Sequence, residues 1–364
     1  MTDLLYSETE DDLRAAVRSL LADRAGAQTL LARIEGESPY VPGLWKSLAG
    51  EIGAAGLLVP EKLGGQGASH REAAVVLEEL GRAVTPAPYL TSAVVATETL
   101  LALDTESGPV AGLLADLAAG RSVAVLALPL STGPTAAPAS RGTGHDGAPT
   151  VSGVADAVVA DVFLVPRADG LHAVPAAEAT VEPRTPLDLT RPLAAVTTDA
   201  AGTRIADADT SAEAVRRGLL AGAGLLASEQ LGLAEWCLEE TVRHTRERYQ
   251  FNRPVGSFQA LKHRMAQLWL EIVNARAAAR AAADALATGS PEAPLTVAVA
   301  QAYCSRVAVH AAEECVQLHG GIGMTWEHPA HLALKRAKSD QIAFGSAGFH
   351  QDALAELVGL PAPA

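Results

Sequence analysis

Gln317-Leu318-His319-Gly320-Gly321-Ile322-Gly323-Met324-Thr325-Trp326-Glu327-His328-Pro329 closes a long helical stretch. A second run, Arg248-Tyr249-Gln250-Phe251-Asn252-Arg253-Pro254-Val255-Gly256-Ser257-Phe258-Gln259, lies within the helical part before it. The residue types suit a phosphate-bearing ligand. Arg248 is a permanent, forked cation for phosphate oxygens. Gln250 and Gln259 can both donate and accept hydrogen bonds. Gly320 and Gly321, after Gln317, Leu318 and His319, let another group approach the backbone with no Cβ between. Phe251 and Phe258 offer apolar faces. Taken singly, each has an ordinary reading. Arg248 suits the dipole of a helix end, Gly320-Gly321 an ordinary helix C-cap, and Gln259 a solvated first turn. His263 and His319 are equally well read as hydrogen-bonding across a helical bundle. Trp236, Trp269 and Trp326 are expected to anchor the core.

Outward from these runs, residues 211–364 read as a helical bundle. Ser211 is expected to cap a very long helix reaching about Tyr249, and Ser257 another from Phe258 to about Leu286. Ser290-Pro291-Glu292 shows the cap, proline and acid that open a helix, here one ending at Gly320-Gly321. Two more are expected from about Pro329 to Phe344 and Gly348 to Leu357. Residues 119–210 are rich in Val, Thr, Pro and Gly, with short apolar runs at Val123–Leu128, Val158–Val165, Leu171–Val174 and Leu193–Thr198. That pattern reads as a small, reduced β-barrel or sandwich. Ser131–Gly147 is loop-like in composition. Residues 1–118 are again helical: Leu13, Val17, Leu20 and Leu21 form one apolar stripe, and Val76, Leu77 and Leu80 another. The fold class is therefore mainly α, with a central β domain between an N-terminal helical domain and a C-terminal bundle.

The bulk numbers agree. A chain of 364 residues, 49% hydrophobic, can bury a large core. A formal charge of −14 argues against nucleic-acid and anionic-membrane surfaces. No apolar run approaches the roughly 20 residues of a membrane span. The acidic start, with Asp3, Glu8, Glu10, Asp11 and Asp12, is unlike a secretory signal, so a cytoplasmic protein is expected. Cys237, Cys304 and Cys315 lack metal or redox spacing and read as reduced core thiols.

The two opening runs resemble the flavin-clamping motifs of acyl-CoA dehydrogenases, and the helix–strand–helix order is similar to that family over almost the whole chain. The resemblance implies an R-x-Q-F-type segment and a Q-x-x-G-G segment that reach over the pyrophosphate and adenine of FAD bound mainly by a neighbouring subunit. It carries the FAD-contacting role onto Arg248, Gln250, Phe251, Phe258, Gln259, Gln317, Leu318, His319, Gly320 and Gly321. It also implies an acyl-CoA substrate, with an electron-transfer flavoprotein as acceptor.

The sequence departs from the family where the chemistry is done. The reaction removes a weakly acidic α-proton from a thioester, which requires a nearby carboxylate. In most members that Glu lies in a Y-E-G-T-like run; here the run is Gln341-Ile342-Ala343-Phe344-Gly345-Ser346, with Phe344 in the Glu place. The alternative place, on the long helix, falls at about Gly222-Ala223-Gly224. Neither holds a carboxylate. The L-T-E-P-x-x-G-S-D run that would contact the flavin ring survives only as Leu128-Pro129-Leu130-Ser131-Thr132-Gly133. A W-[IV]-T-like strand, expected within Val151–Phe163, lacks its Trp. The expectation is a subunit without the base, as in actinobacterial α2β2 enzymes for bulky steroid-type acyl-CoA esters, completing the FAD site of a homologous partner that carries the Glu. Two alternatives are a self-sufficient enzyme whose base is Asp340 or Glu229, with Arg336 an ordinary surface partner of Asp340, and a non-catalytic scaffold of the same fold.

Overall fold

Ser7 opens the first helix with a reciprocal cap: its Oγ accepts from Glu10 N–H at 3.2 Å, and Glu10 Oε2 accepts from Ser7 N–H at 2.6 Å. The computed structural model of the chain describes residues 4–36, 38–135, 142–143 and 149–361. Among these residues six α-helices precede the strands: α1 (Glu8–Arg24), α2 (Ala27–Arg33), α3 (Leu44–Gly50), α4 (His70–Arg82), α5 (Thr97–Leu101) and α6 (Gly108–Ala118). A π-helical turn, Tyr89–Ala96, runs directly into α5. The expected stripes face inward: Val17, Leu21, Val76, Leu77 and Leu80 are buried.

Among the described residues eight strands follow: β1 (Ala124–Leu126), β2 (Gly142–Thr143), β3 (Pro149–Ala155), β4 (Val162–Arg167), β5 (Gly170–Pro175), β6 (Thr180–Arg184), β7 (Leu193–Thr197) and β8 (Thr203–Ala206). They form two four-stranded sheets, β1-β4-β5-β8 and β2-β3-β7-β6, with β1 and β4 parallel and the other pairs antiparallel. Val125, Phe163, Val165 and Val174 of the first sheet pack with Val154, Ala194 and Val196 of the second. The alternate residues Ala124, Leu126 and Leu164 join the large helical core instead. Strands buried on both faces read as unbroken apolar runs, as these do. The expected strand at Val158 begins only at Val162, because Asp156 adopts a left-handed conformation (φ 55°) and a 3-10 turn, Ala157–Val159, intervenes. Most of the expected Ser131–Gly147 loop lies outside the described residues.

The bundle is built on α7 (Ala208–Glu247), α8 (Gln259–Ala287) and α9 (Ala293–His319), with α10 (Ala330–Asp340) and α11 (Ala347–Leu357) packed on α9. A short hairpin of β9 (Tyr249–Gln250) and β10 (Arg253–Pro254) separates α7 from α8. Helix α7 crosses α4 at backbone contact. A Cβ on Gly232 would lie 1.8 Å from Glu78 O, and one on Gly81 2.0 Å from Glu229 O. Only glycine fits at either position.

Several expectations are corrected. Asp207, not Ser211, caps α7: its side chain accepts from Thr210 N–H at 2.9 Å, placing Ser211 inside the first turn. Ser257 ends a 3-10 turn, leaving Phe258 as the uncapped start of α8. Helix α10 stops at Asp340, beyond which Ile342 N–H and Ala343 N–H donate to Ser339 O and Asp340 O in tighter i→i−3 turns before the chain turns left-handed at Phe344 (φ 52°). Trp269 and Trp326 are 55% and 56% exposed rather than core anchors, and Lys335 Nζ lies 3.8 Å over the Trp326 ring. The three cysteines are buried and free. No helix among the described residues is long and apolar enough to cross a membrane.

Candidate functional site

The two opening runs meet at one end of the bundle. His244 on α7 stacks on His319 at the end of α9, with ring centroids 4.3 Å apart. Arg248 follows His244 by four residues, about 6 Å along the axis at about 1.5 Å per residue, and Gly320 follows His319 directly. Arg248 is exposed and its guanidinium makes no hydrogen bond or ion pair among the described residues. Gln250, Gln259, Gln317, Gly320 and Gly321 are exposed as well, and Leu318 is half-buried. A Cβ on Gly320 or Gly321 would meet nothing within 4 Å, so neither glycine is there for packing.

The run between α7 and α8 is a β-hairpin rather than helix. Its tip, Phe251-Asn252, takes φ of 53° and 60°, the paired left-handed geometry of a type I′ turn. Phe251 stands 85% exposed at that tip, edge-on to Phe258. The Phe258 face is covered by Arg253, whose guanidinium lies 3.8 Å above it. His319 is the exception among the expected FAD contacts: it is buried and its Nδ1 donates to Cys315 O at 2.6 Å. His263 is exposed, not bonded across the bundle.

This rim fits the phosphate end of a dinucleotide: an unpaired guanidinium, two open glycines, exposed amides and the uncapped N–H groups starting α8 all face outward. The place for a flavin ring within the chain does not fit. The two expected positions of the base converge in space, since a Cβ on Gly222 would lie 3.1 Å from the Phe344 ring. Phe344 N–H donates to Leu130 O at 2.8 Å, and His350 Nε2 donates to Phe344 O at 3.0 Å. Thus the Leu128–Gly133 run is bonded directly to the Gln341–Ser346 run. What remains is a gap of about 30 Å³ bounded by Thr91, Val95, Leu126, Leu130, Leu219 and Phe344. That volume holds about two waters, against roughly 300 Å³ or more for an ordinary ligand cleft.

Neither alternative base is free to act. Glu229 and Asp340 are 2% and 1% exposed. They belong to an internal network that sequence reading missed, joining the loop before β7 to the bundle. Arg336 donates to Asp188, to Glu229 at 2.6 Å and to Thr190 O at 2.9 Å, and Arg191 also binds Glu229. Burial alone would raise the Glu229 pKa, but the two guanidiniums outweigh it and hold the group below the usual carboxylate range. Asp340 lies 3.5 Å from Arg191, and neither of its oxygens has a hydrogen-bond partner. Burial, then the Glu229 charge, pushes its carboxyl up to about 8. Arg336 is therefore a buried hub, not the surface partner expected.

The N-terminal domain of acyl-CoA dehydrogenases matches residues 7–107, and the C-terminal domain matches residues 212–359. The acyl-CoA dehydrogenase IpdE2 of Mycolicibacterium smegmatis is 35% identical over 334 residues, covering 91% of this chain and 93% of that protein. The chain belongs to the acyl-CoA dehydrogenase family. Among solved acyl-CoA dehydrogenase folds, the ChsE4-ChsE5 complex from Mycobacterium tuberculosis is 25% identical with a TM-score of 0.84, covering 100% of both chains. The Tcur3481-Tcur3483 steroid ACAD is 26% identical with a TM-score of 0.83, covering 97% of this chain and 98% of that one. The family fold here carries an exposed rim of Arg248, Gln250, Gln259, Gln317, Gly320 and Gly321 and, about 40 Å back along α7 at about 1.5 Å per residue, a closed gap at Phe344 and Gly222.

Proposed function

We propose that this chain is the base-lacking subunit of a heteromeric, FAD-dependent acyl-CoA dehydrogenase, completing the FAD site of a homologous partner that carries the catalytic Glu. The observation that carries the reading is the direct Leu130–Phe344 bond, with the Phe344 ring against Gly222. It occupies the space a flavin ring and an acyl chain would need, while the dinucleotide-facing groups stay open. When bound, FAD supplies hydride acceptance from the acyl β-carbon; the partner's carboxylate takes the α-proton. Arg248, Gln317, Gly320 and Gly321 hold the phosphates, and Gln250, Phe251, Phe258 and Gln259 border the same rim. Similarity to ChsE4-ChsE5, a complex of two chains, and to a steroid ACAD supports an α2β2 assembly acting on a bulky, steroid-type acyl-CoA. An electron-transfer flavoprotein in the cytoplasm is the acceptor on this reading.

The test is purification of the chain alone and together with a Glu-bearing homologue. The expected result is little flavin and no turnover alone, and one stable complex with bound FAD and acyl-CoA-dependent dye reduction together. Full FAD occupancy and turnover by the lone chain overturns the reading.

A further inference from the structure

Three imidazoles and a carboxylate meet beneath the Gly320–Gly321 turn, and the proposed function uses none of them. Glu240 and His244 are four apart on α7 and share a face. His319 ends α9, and His328 lies in the turn before α10. The His319 ring stands between the other two, its centroid 4.3 Å from that of His244 and 4.4 Å from that of His328. Its side chain is 0% exposed. Because Nδ1–H donates to Cys315 O, the ring is oriented and Nε2 faces Glu240 Oε1 at 3.8 Å with no hydrogen-bond partner.

Ligand-type atoms of Glu240, His319 and His328 lie within 4.8 Å of one another. The tautomers nonetheless disfavour a cation there. His328 Nδ1 accepts from Ala330 N–H at 3.2 Å, so its Nε2 carries the proton and points it toward Glu240 Oε1, 3.7 Å away. Glu240 is in turn gripped by Arg243, which also binds Glu247 at 2.8 Å. The cluster is a tie between helix ends. It joins the end of α7 that bears Arg248 to the end of α9 that bears Gly320 and Gly321. A Cβ on either glycine would meet nothing within 4 Å, and Gly320 takes φ 65°, so the turn is placed from below: Gly320 N–H donates to Gln317 O, and Gly323 sits close against Val316 O and His319 Cβ.

We propose that His319 is a positioning residue: anchored to Cys315 O, packed between the tilted rings of His244 and His328 and facing Glu240, it sets the Gly320–Gly321 turn level with Arg248. This rests on the reading that the rim faces a partner's FAD. Burial alone disfavours charge on His319, but Cys315 and Glu240 outweigh it and lift its pKa, whereas burial, then the His319 charge, lowers those of His244 and His328. The stack's preferred proton therefore sits on the central ring, at a helix C-terminus where a cation suits the dipole.

The test uses the FAD-loaded complex with the Glu-bearing subunit, following FAD release by fluorescence. His319→Leu removes one oriented polar anchor and is expected to speed release about 10-fold, the scale of one hydrogen bond, with assembly and thermal midpoint kept. His319→Asn, whose amide N–H replaces Nδ1–H, is expected to recover most of that loss. If His319→Leu fails to assemble, Glu240→Gln and His328→Ala carry the test, with faster release expected and unchanged release overturning the proposal. Arg248→Ala separates the two levels. Faster release in Arg248→Ala with none in His319→Leu rejects the positioning role. No change in Arg248→Ala removes the reading on which it rests.

Discussion

Phe344 and Asp340 lie four residues apart and fail as bases for different reasons. Phe344 has no proton-accepting atom, and its ring fills the space beside Gly222. Restoring a carboxylate by Phe344→Glu is expected to leave the lone chain inactive and to cost about 3 kcal/mol or more, because an unpaired carboxyl replaces a buried ring. Urea denaturation and acyl-CoA-dependent dye reduction check both halves; turnover by the lone variant counts against a closed site. Asp340 has the carboxyl but holds its proton up to about pH 8, through burial and the nearby Glu229. In the unfolded chain it ionises near pH 4. The unfolded state therefore releases this proton first, and the group subtracts stability progressively as pH rises from about 4 to about 8. Asp340→Asn keeps the shape without the charge. It is expected to be more stable than the wild type at pH 7–9, with the gap closing toward pH 4, measured as urea midpoints across that range.

Elements are held at fixed heights by contacts that tolerate no added atoms. The α4–α7 crossing brings Gly81 and Gly232 against the opposite helix's carbonyls, and backbone does not rotate aside as a side chain does. Gly232→Ala is expected to cost about 3 kcal/mol, read as a lowered denaturation midpoint with unchanged slope. The same crossing places Glu229, within the same stretch of α7, where Arg191 and Arg336 enclose it. At the other end of α7, the hairpin keeps Phe251 left-handed and 85% exposed. Strain of about 1–3 kcal/mol at such a residue persists only because the hairpin fixes it. An exposed aromatic held this way fits a rim that meets another surface.

At the scale of the whole molecule, one end of the bundle is open, while the internal gap at Phe344 and Gly222, about 40 Å back along α7 at about 1.5 Å per residue, is closed. Arg248 makes no bond within the described chain, so Arg248→Ala is expected to leave the lone chain's stability unchanged. In the complex the same substitution is expected to weaken FAD retention by about 10- to 100-fold, the scale of a charged hydrogen bond. Thermal denaturation of the chain and FAD equilibrium measurements on the complex check the two expectations.

Local periodicity and motif spacing determined the helix–strand–helix order and the buried stripes on α1 and α4, because those features depend on residues near one another in the chain. The absence of a carboxylate at Phe344 and Gly222 was equally plain in the sequence. Their convergence was not, since it depends on how α7 meets the loop after α10. The same limit hid the ion network of Asp188, Arg191, Glu229, Arg336 and Asp340, whose members come from three distant segments. It also hid the imidazole stack under Gly320. A histidine four residues before Arg248 looks like any helical surface residue until folding sets a second helix end against it, and only then does its ring have a partner.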